Sequence, residues 1–197
     1  AETREDVLWH SRNQEYRDQN VMSHPSHGSE WKSFNDKHKE FAADPRHIRL
    51  GLPSDGFNPF GHQSATYSMW LVLVIPYNMP PNVCTEESNY MMPLLIPGPK
   101  SRGKDFDLFM EPLAEELQQL WRGVLIRDMY SSPPADFFLR VVIIWCIHDY
   151  LDLGTMPGWT THGYNACVRC DRNSLSYAIL SKICYIGHRR FLAKDKP

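Results

Sequence analysis

The residues with the most chemistry to offer stand in three places along the chain. In Arg49-Leu50-Gly51-Leu52-Pro53-Ser54-Asp55-Gly56-Phe57-Asn58-Pro59-Phe60 one carboxylate, Asp55, closes an apolar strand-like run, where it can face a cleft and serve as a metal ligand. The same letters also read as a turn, because Asp and Asn bond their own backbone and glycine supplies positive φ. A second carboxylate, Asp149, comes just after the apolar run Phe137 to Ile147, and an acid in that position also reads as a turn or a cap. Third, Cys167-x2-Cys170 is succeeded, after thirteen residues, by Cys184-x3-His188. Two such pairs have the spacing of a structural Cys₃His zinc site. Four ligands would close the site to catalysis, and its work would be to fold Gly163 to His188, which lacks the apolar content for a core of its own. His162 stands close enough in sequence to replace one ligand, and a reduced CxxC without metal is the other reading.

These residues need elements to hold them. His47 to Asp55 reads as a first strand, although Pro53 gives a ladder no N–H. Thr66 to Ile75 reads as a second, polar-alternating at first and then buried on both faces, and Tyr90 to Ile96 as a third, interrupted by Pro93 and therefore suited to a sheet edge. A helix opening at Asp105 or Asp107 carries Leu113, Leu117, Leu120 and Trp121 at helical spacing, with Pro112 as a break or first-turn position. It can return the chain to a fourth strand, Phe137 to Ile147, parallel to the first. Upstream, a short helix is expected around Ser29 to Ala43, packing Trp31, Phe34, His38 and Phe41 as an apron on the domain that begins at His47.

At 42% hydrophobic and 22% charged the 197 residues suit one domain with a sizeable core, and exclude disordered and collagen-like classes. The apolar runs Met69 to Ile75 and Val141 to Ile147 are far short of a bilayer span, and the polar start has no signal-peptide pattern, so no membrane partner and an intracellular protein are expected. A chain that begins with Ala rather than Met is expected to be a fragment or a processed form. Its net charge of −2 argues against a uniformly basic nucleic-acid binder, yet from His162 onward lysine and arginine outnumber aspartate. Five cysteines, an odd number, argue against a disulfide framework.

Ser54-Asp55-Gly56-Phe57-Asn58-Pro59-Phe60, then Tyr67-Ser68-Met69-Trp70, Leu94-Leu95-Ile96-Pro97-Gly98-Pro99-Lys100-Ser101 and Gly187-His188-Arg189-Arg190-Phe191-Leu192 resemble the transposase of plant CACTA (En/Spm-like) elements, from about His24 onward. The resemblance implies a DDE-type nuclease and strand transferase on an RNase H-like α/β fold, a mixed sheet of order 3-2-1-4-5. Asp55 and Asp149 match its first two catalytic acids and would hold Mg²⁺ or Mn²⁺, whose hard oxygen preference suits carboxylates. Pro53 stands where the family more often has a small residue and Leu151 where it commonly has proline, with Asp152 as the fallback acid. Neither Asp171 nor Asp195 falls in a helical segment, and the resemblance implies a third acid beyond Pro197. The matching cysteines favour Zn²⁺, and Lys182, Arg189 and Arg190 would meet DNA phosphates. The implied organisation is a polar extension over 1–46, an incomplete catalytic core over 47–161 and a basic Cys/His segment over 162–197. The expected setting is the nucleus, with transposon terminal repeats as DNA partner and self-association or a second element-encoded protein beside it. The competing expectation is a catalytically silent, zinc-stabilised remnant that binds DNA or protein. A weaker third is a metal-dependent nuclease acting on other nucleic acid.

Overall fold

The computed structural model describes residues 2–12, 22–61, 67–98, 105–149, 159–167, 170 and 174–185. By contacts it divides into two compact units, Ala1–Ser101 with Leu108–Ile147, and Arg102–Asp107 with His148–Pro197.

The first unit is built on a mixed four-stranded sheet. β1 (Ile48–Phe57) pairs antiparallel with β2 (Met69–Pro76), and β2 antiparallel with β3 (Met91–Ile96). β6 (Val141–Ile147) lies parallel to β1 on its other side, Ile48 opposite Val141 and Pro53 opposite Ile147, so the order across the sheet is β3-β2-β1-β6. No fifth strand joins this sheet among the described residues. Pro93 lies where the β2–β3 register shifts, on an edge strand, where its missing N–H removes no ladder bond from a central strand. Trp70, Val72 and Val74 are buried along β2, as are Leu50 and Leu52 in β1 and Ile96 at the end of β3.

Tyr77 and Asn78 extend the sheet past β2. The Tyr77 N–H donates to the Arg49 carbonyl at 2.9 Å. Fully buried Asn78 accepts the Arg49 N–H on Oδ1 at 2.7 Å and donates Nδ2 to the His47 carbonyl at 2.8 Å, so one side chain does the work of a strand neighbour. Gly51 is required here, because a Cβ on it would drive into the Tyr77 ring.

Helices cover one end of this sheet. The apron expected over Ser29 to Ala43 is two helices, α2 (Ser29–Lys37) and α3 (Lys39–Ala42), broken at His38, whose φ of −118° and ψ of 64° are not helical. Ahead of them α1 (Glu2–Arg12), unexpected from its weak periodicity, buries Leu8 and His10. Its Arg4 meets Asp128 at 3.5 Å. A short helix, α4 (Pro81–Cys84), comes after β2, and α5 (Phe106–Arg122) runs through Pro112 without ending. The carbonyl deprived of a partner there belongs to Leu108, an exposed residue open to hydration. Trp121, near the end of α5, stacks on Phe41 at 5.7 Å.

Phe137 to Ile147 is not one strand. β4 (Val124–Asp128) and β5 (Ala135–Leu139) form a separate antiparallel hairpin, and Arg140 alone joins β5 to β6. That corner is pinned twice: the Arg140 N–H donates to His47 Nδ1 at 3.2 Å, and its carbonyl accepts the Ile48 N–H at 2.9 Å.

In the second unit β7 (Ser176–Ile179) and β8 (Lys182–Tyr185) form a hairpin turning through Leu180, which holds a φ of 49°. Ala166 and Cys170 are buried there.

Candidate functional site

Asp55 lies inside the paired end of β1, opposite Leu71, and its neighbour Gly56 lies opposite Trp70. The Asp-Gly pair is therefore strand; the turn comes later, where Asn58 Oδ1 accepts the Phe60 N–H at 3.0 Å and the Gly61 N–H reaches the Asn58 carbonyl at 3.3 Å. A glycine suits position 56 because Trp70 lies over it, 3.3 Å from where a Cβ would stand.

Alternation along β1 places Arg49, Gly51, Pro53, Asp55 and Phe57 on one face of the sheet. At the Arg49 end this face is closed. The buried guanidinium lies 4.7 Å from the Trp31 ring and 5.0 Å from Phe41, and its NH2 donates to Asn35 Oδ1 at 2.8 Å. Burial pulls the Arg49 pKa down to about 10. Six residues further along, Asp55 is exposed. The face thus runs from helical cover to open carboxylate within one strand.

β6 ends at Ile147, opposite Pro53. Asp149 comes two residues later, exposed, and is counted with the second unit. Among the described residues no group of three or more His, Cys, Asp or Glu side chains is gathered as a metal cluster. Asp55 presents an exposed carboxylate. That suits a hydrated Mg²⁺ or Mn²⁺, which takes one or two carboxylates and completes its octahedron with water and substrate phosphate.

None of the five cysteines is in a disulfide. The Cys170 N–H donates to the Cys167 carbonyl at 3.2 Å, closing the CxxC into a turn, and Cys184 lies in β8 opposite Tyr177. Next to it, the Tyr185 hydroxyl donates to the Gly163 carbonyl and accepts the Ala166 N–H at 3.1 Å. One residue of β8 thereby ties the strand carrying Cys184 to the loop leading into Cys167. The donor set suits zinc; His188 lies outside the described residues, as do Arg189 and Arg190. Lys182 is exposed in β8, paired with Ile179.

Two residues that the sequence did not single out belong to the same face as Asp55. Trp145 pairs with Gly51, and Tyr77 lies over Gly51 with its ring 5.7 Å from Trp145, edge to face. An indole inside the aliphatic run Val141 to Ile147 was the available signal.

A family model described as Transposase family tnp2 matches residues 19–197, which leaves α1 outside the matched span. No curated protein and no solved structure is matched by the chain.

Proposed function

The chain belongs to the transposase family tnp2, and from that premise we propose that it is a DDE-type catalytic region, RNase H-like, of a CACTA-type element, acting in the nucleus on the element's DNA ends. Parallel pairing of β1 and β6 carries this reading: with Pro53 opposite Ile147, Asp55 and Asp149 each stand two residues past a matched position. Asp55 offers its carboxylate to the metal from a rigid strand, and Asp149 is the proposed second ligand. A bound divalent ion would supply charge for phosphodiester cleavage and a more acidic bound water. Asp55 does its part by being fixed through the Leu71 pairing and left open to solvent on the face where DNA can approach.

We also propose that Cys167, Cys170, Cys184 and His188 hold a structural Zn²⁺, and that Lys182, Arg189 and Arg190 contact DNA phosphates. Among the described residues no helical segment after Asp152 supplies the third acid of a DDE site, so nicking by these 197 residues alone is expected to be weak. Metal binding is the sharper test. Mn²⁺ titration read by electron paramagnetic resonance, with element-end DNA present, should show a site that Asp55→Asn and Asp149→Asn each weaken. Unchanged binding in both variants would remove the nuclease reading and leave a zinc-stabilised binding remnant.

A further inference from the structure

The face of β1 that carries Asp55 holds a concavity of about 490 Å³ between the helical cover and the end of β6. Tyr77, Trp145, Ile147, Met22, His24 and Glu30 line it. It belongs wholly to the first unit. Trp145 and Ile147 pair with Gly51 and Pro53, so the concavity occupies the rows just before Asp55 on the same side of the sheet. From the Gly51 row to Asp55 is four residues, roughly 13 Å at 3.3 Å each, or about four stacked nucleotides at 3.4 Å.

Its chemistry is that of a flat, neutral, partly polar guest. Trp145 stacks on Trp31 at 6.4 Å and meets Tyr77 at 5.7 Å, which fixes the indole within a wall of aromatic rings. At Gly28 a Cβ would lie 3.2 Å from the Pro25 carbonyl, 3.5 Å from Glu30 Oε2 and 4.0 Å from Trp145 Cζ2, so a carboxylate and an indole edge come close together there. The Ser29 hydroxyl donates to Glu30 Oε2 at 2.9 Å, which leaves further acceptor capacity on the carboxylate. The wall also contains buried His24. Its Nδ1 accepts the Ser26 N–H at 3.1 Å. A carboxylate repels phosphate but accepts hydrogen bonds from the amino group of a base. Aromatic walls stack on any base that has left its duplex.

Resting on the reading of Asp55 as a DNA-cleaving metal ligand, we propose that this concavity receives one unpaired nucleobase bearing an exocyclic amino group, against Tyr77 and Trp145, with Glu30 accepting from the amino group. It would hold a splayed nucleotide a few steps from the phosphate at Asp55.

The test uses the full chain and fluorescence anisotropy of labelled single-stranded dC10 and dT10, pyrimidines that differ at the amino group. Wild type should favour dC10 by about tenfold. Glu30→Ala, an exposed change that removes the acceptor and should leave folding intact, should erase that preference. Asp55→Asn should keep the preference. Equal wild-type affinity for dC10 and dT10, or a preference that survives Glu30→Ala, overturns the pocket while leaving the Mn²⁺ result to stand by itself. Conversely, a dC10 preference lost with Glu30→Ala supports the pocket even if Asp55→Asn leaves Mn²⁺ binding unchanged.

Discussion

The two compact units hold together by different means. The first packs Val72, Ile96, Phe41 and Leu50 into a core that spans strands and helices, and closes even a guanidinium, Arg49, among rings. The second, among its described residues, buries Ala166, Cys170 and Phe106, while Tyr177, Ile179, Leu180 and Tyr185 of its hairpin are exposed. A two-stranded hairpin with so little buried apolar surface is marginal by itself. The contrast teaches that burial fixes the sheet bearing Asp55, whereas the described hairpin of the cysteine segment buries little, which is where the proposed Zn²⁺ would act.

Four measurements put that contrast at risk. The largest effect is expected from metal removal: chelation should abolish amide protection in β7–β8 while β1 and β2 stay protected, since structural zinc contributes on the order of 10 kcal/mol to such small folds. Equal protection with and without chelator, read by hydrogen exchange, would erase the difference between the units. Next, Phe41→Ala removes a buried ring stacked on Trp121 and should cost the first unit about 3–5 kcal/mol by denaturant unfolding. A loss below about 1 kcal/mol would mean the helical cover contributes little.

Third is acid. Burial, joined by the Arg49 charge, lowers the His10 pKa to about 4, and burial with the nearby His27 lowers that of His24 to about 4. Both folded values lie below the ordinary 6.5, so the unfolded chain takes up protons first. The stability they contribute is complete above pH 6.5 and is lost as pH falls from there to about 4. The stability of the first unit should fall by roughly a few kcal/mol across that range in pH-dependent melts, and His10→Gln should flatten the slope. The smallest effect is expected at Asp36, whose ion pair with Lys39 at 3.6 Å is solvent-exposed: Asp36→Asn should leave both units unmoved.

The sequence made the central strands readable because their apolar runs are local. The hairpin β4–β5 was hidden, since Phe137 to Ile147 is nearly unbroken in its apolar letters and the corner at Arg140 depends on His47, far upstream. α1 was hidden for a similar reason: Leu8, His10 and the Arg4–Asp128 pair hold it through tertiary contacts that an eleven-residue polar segment does not advertise. The placing of Asp55 on the first strand was legible from the apolar run that leads into it. The turn reading of its setting fails because pairing with β2 absorbs Asp55 and Gly56. Tyr77 and Trp145 meet across β1 over Gly51, a relation set by register rather than by spacing.

The corner at Arg140 has a chemical condition attached. Its N–H needs a bare ring nitrogen on His47, and burial holds that imidazole's pKa below the ordinary value, keeping the nitrogen available at neutral pH. A proton arriving there would turn an acceptor into a second donor facing the first. Protonation of His47 would thus cost the join between hairpin and sheet one of its two pins, leaving the Ile48 N–H on the Arg140 carbonyl.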